Sequence, residues 1–178
     1  NTRSKGQGVL RIVRGKKYAV ALACQLFDQL QELHGLTRHD RLLLKVAAIL
    51  HEVGSYINPK KHHHPSQYII LNSEIFGLSR ADVEVVGLLA RYHRHGAPTI
   101  AEPTYALLNQ ADRLRVQKLA ALLRVAEAME RAHSRRIRSF TVRTTGPSAF
   151  TLQSAGYAQA YSGTSPPMHS GRSSWLVW

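Results

Sequence analysis

His51 and Glu52 stand side by side at the end of the apolar run Ala47-Ala48-Ile49-Leu50, and Gly54 follows shortly after. A neutral imidazole beside a carboxylate is a ligand pair for a divalent ion such as Mg²⁺, Mn²⁺, Fe²⁺ or Zn²⁺, and an ion held there would activate water for attack on a phosphoester. Two ligands do not complete a coordination shell. His62, His63, His93 and Glu127 are the residues that could extend it. The same pair has a plainer reading, in which both side chains hydrogen-bond inside a helical bundle and fix helix ends without metal.

A second chemistry is anion binding. Lys60-Lys61-His62-His63-His64 forms one basic run, and Arg91, His93, Arg94 and His95 crowd the segment before Gly96. Arginine pairs bidentately with phosphate oxygens, lysine supplies a point charge, and histidine adds charge below neutrality. Each run also has a structural reading: a solvated loop for the first, and cations complementing a helix C-terminus for the second. Arg113, Lys118 and Arg124 either extend the same surface or form the solvated face of a later helix. Composition favours the anion reading. Lys and Arg total 24 against 11 acids, a formal charge of +13, with ten His in reserve. Such a surface attracts nucleic acid, polyphosphate, nucleotide phosphates or acidic lipid.

The elements that must position these residues follow from periodicity. Between Lys17 and His34, Val20, Ala23, Cys24, Phe27, Leu30 and Leu33 recur at helical spacing, and Gly35 stops the helix. Thr37 with Asp40 resembles a capping box for a helix over Arg38–Val53, buried through Leu42, Leu43, Val46, Ala47, Ile49 and Leu50, with Gly54 as a left-handed terminator. Asn58–Pro65 reads as a loop and Ser66–Asn72 as a short helix. Ser79 with Asp82 caps a helix running from Arg80 to about Arg94, and Pro103 sits in the first turn of a helix beginning near Ala101. Ala111–His133 is the strongest amphipathic segment, with Leu114, Leu119, Leu122, Leu123, Ala126 and Met129 on its buried face. Glu127 falls on that apolar side and therefore needs a buried partner, Arg124 or His51. Ile137–Arg143 and Ala149–Leu152 alternate around Gly146-Pro147 and predict a hairpin. Beyond Gln153 the chain is rich in Ser, Gly and Pro and reads as a tail ending in Trp175-Leu176-Val177-Trp178.

At 178 residues the chain suffices for one buried domain, and no apolar run approaches the roughly 20 residues needed to cross a bilayer. The lone Cys24 excludes an internal disulfide and has no neighbour in sequence that would activate it, so the compartment reads as reducing cytoplasm. The start at Asn1-Thr2-Arg3 reads as a fragment of something longer. No Ser-His-Asp arrangement or Walker-type glycine loop is visible.

Five phrases in order carry a family resemblance: Leu26-Phe27-Asp28-Gln29-Leu30; Ala47 through Gly54; Ser66-Gln67-Tyr68-Ile69-Ile70-Leu71-Asn72-Ser73; Ala90-Arg91-Tyr92-His93-Arg94; and Leu119 through Met129. With them the chain resembles the C-terminal helical region of the exopolyphosphatase/guanosine pentaphosphatase (Ppx/GppA) family over roughly Lys17 to Val142. The resemblance implies an HD-like helical domain, named for the adjacent His-Asp pair of HD phosphohydrolases, followed by a small α/β piece. It also implies separate actin-like domains that carry the phosphatase chemistry, whose glycine-rich phosphate loops are not found in this sequence. Gly15 and Pro65 stand where relatives often carry histidine, and Glu52 and Glu127 where an HD site carries aspartate. The family's usual ending is not seen after about Thr151.

The expectation is a mainly α, HD-like helical bundle with a small C-terminal β-hairpin appendage. A basic arm spans 1–16, the bundle 17–135, the hairpin 136–152 and the tail 153–178. The expected function is binding of polyphosphate or a guanosine polyphosphate through Lys60, Lys61, His62, His63, Arg91, His93 and Arg94, by an exopolyphosphatase-related domain without complete catalytic machinery. Two alternatives remain: a stand-alone metal-dependent HD phosphohydrolase acting on nucleotides, and a basic helical nucleic-acid-binding module. No cofactor is expected; the alternative is a divalent metal (Mg, Mn, Fe or Zn) on His51, Glu52, His93 and Glu127. Separate actin-like catalytic domains and a second copy of the chain, as a homodimer, stay open as protein partners. No membrane partner is expected.

Overall fold

The computed structural model describes residues 18–94, 96–133, 140–146, 149–154 and 174–175. The basic arm, Gly15, His95, the first residues of the predicted strand from Ile137, Pro147 and most of the tail lie outside the described residues. Helix α1 spans residues 18–29, and α2 (Gln31–His34) follows after Leu30 leaves helical geometry. That break turns Leu33 outward, to 53% exposure, although the periodicity places it on the buried stripe. The true core face of α1 is Ala19, Leu22, Ala23, Leu26 and Phe27. Gly35, at φ 62°, closes α2 in the left-handed conformation that glycine adopts freely.

Helix α3 (Arg38–Leu50) begins on the expected capping box: Asp40 donates its backbone N–H to Thr37 Oγ1 and accepts from the Thr37 backbone. Its buried stripe is Asp40, Leu43, Leu44, Ala47 and Ala48, which leaves Leu42 and Ile49 on the outer face, contrary to the sequence reading. Asp40 is buried because Arg115 pairs with it from α7. The helix ends at Leu50, and a 3-10 turn (Val53–Tyr56) takes over.

Gly54 is not the predicted left-handed terminator. It lies in the 3-10 turn, where a Cβ would come 2.3 Å from the Ser66 backbone nitrogen and 2.7 Å from the His62 carbonyl oxygen. The glycine is there because another backbone packs directly against it. That backbone is the start of α4 (His63–Leu71), and Gly54 N–H donates to Ser66 Oγ at 2.9 Å. The histidine run is therefore not a loop: His62 is the N-cap, and His63 and His64 form the first turn with Pro65, where proline costs no hydrogen bond.

Helix α5 (Arg80–Arg91) starts on the Ser79–Asp82 capping box and runs through Val83, Val85, Val86, Leu88 and Leu89 in the core. It ends at Arg91, short of the predicted Arg94. The short α6 (Pro103–Ala106) has Pro103 at its start and Glu102 as its N-cap. Helix α7 (Gln110–His133) buries Val116, Leu119, Ala120, Leu122, Leu123, Ala126 and Met129, with Leu114 exposed rather than buried. Strands β1 (Phe140–Gly146) and β2 (Ala149–Ser154) pair antiparallel as expected. A third strand, β3 (Ser174–Trp175), pairs with β2 from within the segment read as a tail. The sheet docks on α1 through Gln29, whose Nε2 donates to the Phe140 carbonyl and whose Oε1 accepts from the Val142 N–H, both at 2.7 Å.

Candidate functional site

The end of α3, the N-cap of α4, the residues after α5 and the middle of α7 converge. They bring together His51, His62, His93 and Glu127, all buried at 4% exposure or less. Each histidine is oriented by its own backbone. Nδ1 of His51 lies 3.0 Å from the Ala48 carbonyl oxygen, Nδ1 of His62 3.0 Å from that of Pro59, and Nδ1 of His93 2.6 Å from that of Ala90. A carbonyl only accepts, so each Nδ1 carries the hydrogen and each Nε2 presents a lone pair in the neutral ring.

Of the three Nε2 atoms, two face each other and the third faces a carboxylate. His62 Nε2 is 3.1 Å from His93 Nε2, and His51 Nε2 is 3.4 Å from Glu127 Oε2. His51 Nε2 is buried with no hydrogen-bond partner. The His51 and His93 rings are 4.7 Å apart, and the His62 and His93 rings stack at 5.1 Å. Burial, reinforced by His51, pushes His93 down to about 3, so its ring stays neutral at physiological pH. Burial alone would raise Glu127; His51 and Arg94 outweigh it and hold the carboxyl at about 2, ionised.

Arg94 sits between two carboxylates, 3.2 Å from Glu127 Oε1 and 3.5 Å from Glu52 Oε1. Glu127 thus meets His51, as one of the two sequence readings anticipates, but its cation is Arg94. Arg124 instead donates to the Gly96 carbonyl. Glu52 is half-buried at the rim, and one carboxylate oxygen of it lies within 4.8 Å of ligand atoms of His51 and Glu127. Of the four metal candidates, His51, Glu52 and Glu127 bring ligand atoms within 4.8 Å of one another, while His93 pairs with His62 beside them. His51, Glu52 and Glu127 could each offer one ligand atom to a cation, and His62 and His93 can share a proton.

The basic residues divide differently. Lys60 and Lys61 are exposed, their backbone N–H groups tied to Asn58 Oδ1 at 3.1 and 3.0 Å. Among the described residues neither has a carboxylate within ion-pair range. Arg91, half-buried, donates to Nδ1 of His64, whose ring lies 4.6 Å from that of His63. Burial lowers the His64 pKa, and Arg91 and Lys61 lower it further, which marks a local positive field. His62 and His93 are inside rather than on this surface, and Arg94 is occupied by its two glutamates. His64, outside the predicted set, belongs to the exposed group. Cys24 is half-buried and burial raises its thiol, which agrees with an unreactive cysteine.

Residues 15–158 match the family profile described as Ppx/GppA phosphatase, domain III. The guanosine-5'-triphosphate,3'-diphosphate pyrophosphatase of Vibrio campbellii (strain ATCC BAA-1116) is 29% identical over 127 residues, covering 64% of this chain and 25% of that protein. The enzyme of the same name from Vibrio vulnificus (strain YJ016) is 31% identical over 104 residues, 57% of this chain and 21% of that protein. That of Pseudoalteromonas translucida (strain TAC 125) is 40% identical over 52 residues, 29% of this chain and 10% of that protein. The chain spans about a quarter or less of the length of these curated relatives.

Proposed function

The chain belongs to the Ppx/GppA phosphatase family through its domain III, and from that premise we propose that it binds polyphosphate or a guanosine polyphosphate in the cytoplasm, alongside catalytic domains located elsewhere. The arm, bundle, hairpin and tail divisions given above are its proposed organisation. The observation that carries the reading is the cluster of Lys60, Lys61, His64 and Arg91 around the start of α4 and the end of α5. Lys60, Lys61 and Arg91 lack carboxylate partners among the described residues, and His64 accepts from Arg91, while the neighbouring Arg94 is neutralised. The matched relatives are pyrophosphatases of a guanosine polyphosphate, which supports the choice of ligand class. Among the described residues no helix is long and apolar enough to cross a membrane.

A linear polyanion meets such a surface largely by counterion release, so affinity falls steeply with salt. The test is binding of labelled short-chain polyphosphate, and of guanosine pentaphosphate, to the chain at two ionic strengths. Lys61→Glu with Arg91→Glu should weaken binding by at least about tenfold, since each reversal converts an attraction into a repulsion of order 1 kcal/mol. Arg38→Glu with Lys45→Glu, an equal double reversal at exposed positions of α3, should change it little. Equal losses from both sets would reduce the surface to diffuse attraction. Orthophosphate release by the pure chain, abolished by His51→Ala, would favour a stand-alone phosphohydrolase instead.

A further inference from the structure

We infer that a cleft along one face of α4 is a nucleobase subsite that selects guanine, so that the polyanion held on the adjoining cations is a guanine nucleotide rather than inorganic polyphosphate. The inference rests on the polyanion reading above and narrows its ligand.

The cleft follows from helical spacing. His64, Gln67, Tyr68 and Leu71 stand at i, i+3, i+4 and i+7 of α4, which is one face of a helix, and all four line a volume of about 530 Å³. Ile57, just beyond the 3-10 turn, and Thr104, in α6, line it from the flanking segments. That volume lies within the roughly 300–1,000 Å³ of small-molecule sites. Tyr68 is 69% and Ile57 63% exposed, so an aromatic ring and a branched aliphatic chain stand open to solvent in one cleft. A flat aromatic ligand suits such a lining, because every base has a π-face that stacks on aromatic side chains.

Two buried polar residues of the lining, Gln67 and Glu102, choose the base. Gln67 Nε2 donates to Glu102 Oε1 at 2.9 Å, and Glu102 Oε2 accepts the Tyr105 N–H at 2.6 Å. A carboxylate accepts about four hydrogen bonds, so each oxygen keeps a lone pair. Among the described residues Glu102 has no cation within ion-pair range, although buried carboxylates are ordinarily paired. A ligand edge of adjacent donors supplies what the protein does not. Guanine is the base with that edge: N1–H and N2–H lie side by side for the carboxylate, and O6 next to them accepts the second Gln67 Nε2 hydrogen. Adenine and cytosine set a ring-nitrogen acceptor beside their amino donor, and uracil flanks its N–H with carbonyls, so each would turn a lone pair toward Glu102. His64 lines the cleft three and four residues before Gln67 and Tyr68, about 5–6 Å along the helix axis, roughly the reach of a ribose between base and phosphate. Arg91 donates to His64, and Lys60 and Lys61 precede the N-terminus of α4, whose dipole adds positive potential.

The test is titration calorimetry of the chain with GTP, ATP and inorganic tripolyphosphate, which share a triphosphate and differ in the base. GTP should bind at least about tenfold tighter than either, since hydrogen bonds to a charged group are worth about that factor or more. Tyr68→Ala, at an exposed position, should weaken GTP by about 5–100-fold, the range of base–aromatic stacking, and leave tripolyphosphate unchanged. Glu102→Gln keeps an acceptor for the Tyr105 N–H and should bring GTP down to the ATP level. Should that variant fold poorly, inosine triphosphate on the unaltered chain reads the same contact: it lacks the N2 amino group and should bind about tenfold more weakly than GTP. Equal affinities for GTP, ATP and tripolyphosphate, unmoved by Tyr68→Ala, would overturn the base subsite, leave the polyanion reading standing and leave the cleft to an apolar protein segment. Preference for GTP at an affinity undiminished by Lys61→Glu with Arg91→Glu would keep the base subsite and overturn the polyanion reading instead. Binding of none of the three would overturn both.

Discussion

Gly54→Ala is the most informative single substitution in the fold. A Cβ at Gly54 would lie 2.3 Å from the Ser66 nitrogen, 2.7 Å from the His62 oxygen and 2.7 Å from the Pro65 carbonyl carbon. Comfortable heavy-atom contact begins near 3.5 Å, so about 1 Å of backbone separation is required. The obstacles are main-chain atoms and cannot rotate away. Overpacking of this kind costs about 1–3 kcal/mol and more where relaxation is blocked, against about 0.4–1 kcal/mol gained by restricting the unfolded chain. Separation also stretches the 2.9 Å bond from Gly54 N–H to Ser66, worth about 1 kcal/mol. The net expectation is a loss of about 3 kcal/mol, a Tm drop of roughly 6–12 °C for a chain of this size, read by urea and thermal unfolding. Gly35 supplies the contrast, having φ 62° and nothing within 4 Å of where a Cβ would stand. There alanine should cost about 1–2 kcal/mol and asparagine less, because only backbone conformation is at stake. At Gly54 asparagine should be worse than alanine. A Gly54→Ala protein within about 1 kcal/mol of the parent, or a Gly54→Asn protein more stable than Gly54→Ala, would refute the close-approach argument.

Asp40→Asn should cost about 2–4 kcal/mol in urea unfolding, since it weakens both the α3 capping box and the buried pair with Arg115. Burial would raise the Asp40 pKa, but Thr37 and Arg115 lower it on balance; its stabilisation is therefore present above the ordinary aspartate range and is lost as pH falls below it, which acid titration of wild type against Asp40→Asn would show. His64 is held below its usual pKa by burial, Arg91 and Lys61, and a bound polyanion opposes that field, so binding should take up a proton and strengthen as pH drops below about 6.5; calorimetry in buffers of different ionisation enthalpy checks this, and His64→Gln should remove it. Gln29→Leu should cost about 1–2 kcal/mol and strip hydrogen-exchange protection from the Val142 amide, because Gln29 makes two of the bonds that dock β1 on α1, Gln25 adding a longer third to the Phe140 carbonyl.

What is legible in the sequence is local. The Thr37–Asp40 and Ser79–Asp82 boxes are three-residue rules, and both helices start where those rules place them. Periodicity succeeds on α7 apart from Leu114, and fails at Leu33 because the count runs through the break at Leu30. Gly54 has a different cause from the one its position suggests: a glycine after an apolar helix fits a left-handed stop, and only the seating of α4 reveals the steric one. The same seating decides the site. In sequence His62 is one member of a basic run, yet packing of α4 on the 3-10 turn carries it inward to His93, 31 residues on. His63 and His64, its neighbours, stay on the rim side of the same turn, so one helical register separates the buried imidazole from the two nearer the surface.

Charge shows why the remainder is illegible. A formal +13 is a sum over residues, and it assigns Arg91 and Arg94 the same worth. In the fold Arg94 faces Glu127 and Glu52, Arg115 faces Asp40, and Arg41 faces Asp28, so each of these cations has a carboxylate partner. A polyanion competing for them would have to strip away that partner, and for Glu127 and Asp40 leave a buried carboxylate uncompensated, which costs several kcal/mol. Lys60, Lys61 and Arg91 carry no such obligation among the described residues, and Arg91 and Lys61 add to burial in depressing the pKa of His64. Which cations remain after pairing is a property of contacts tens of residues apart, and composition cannot contain it.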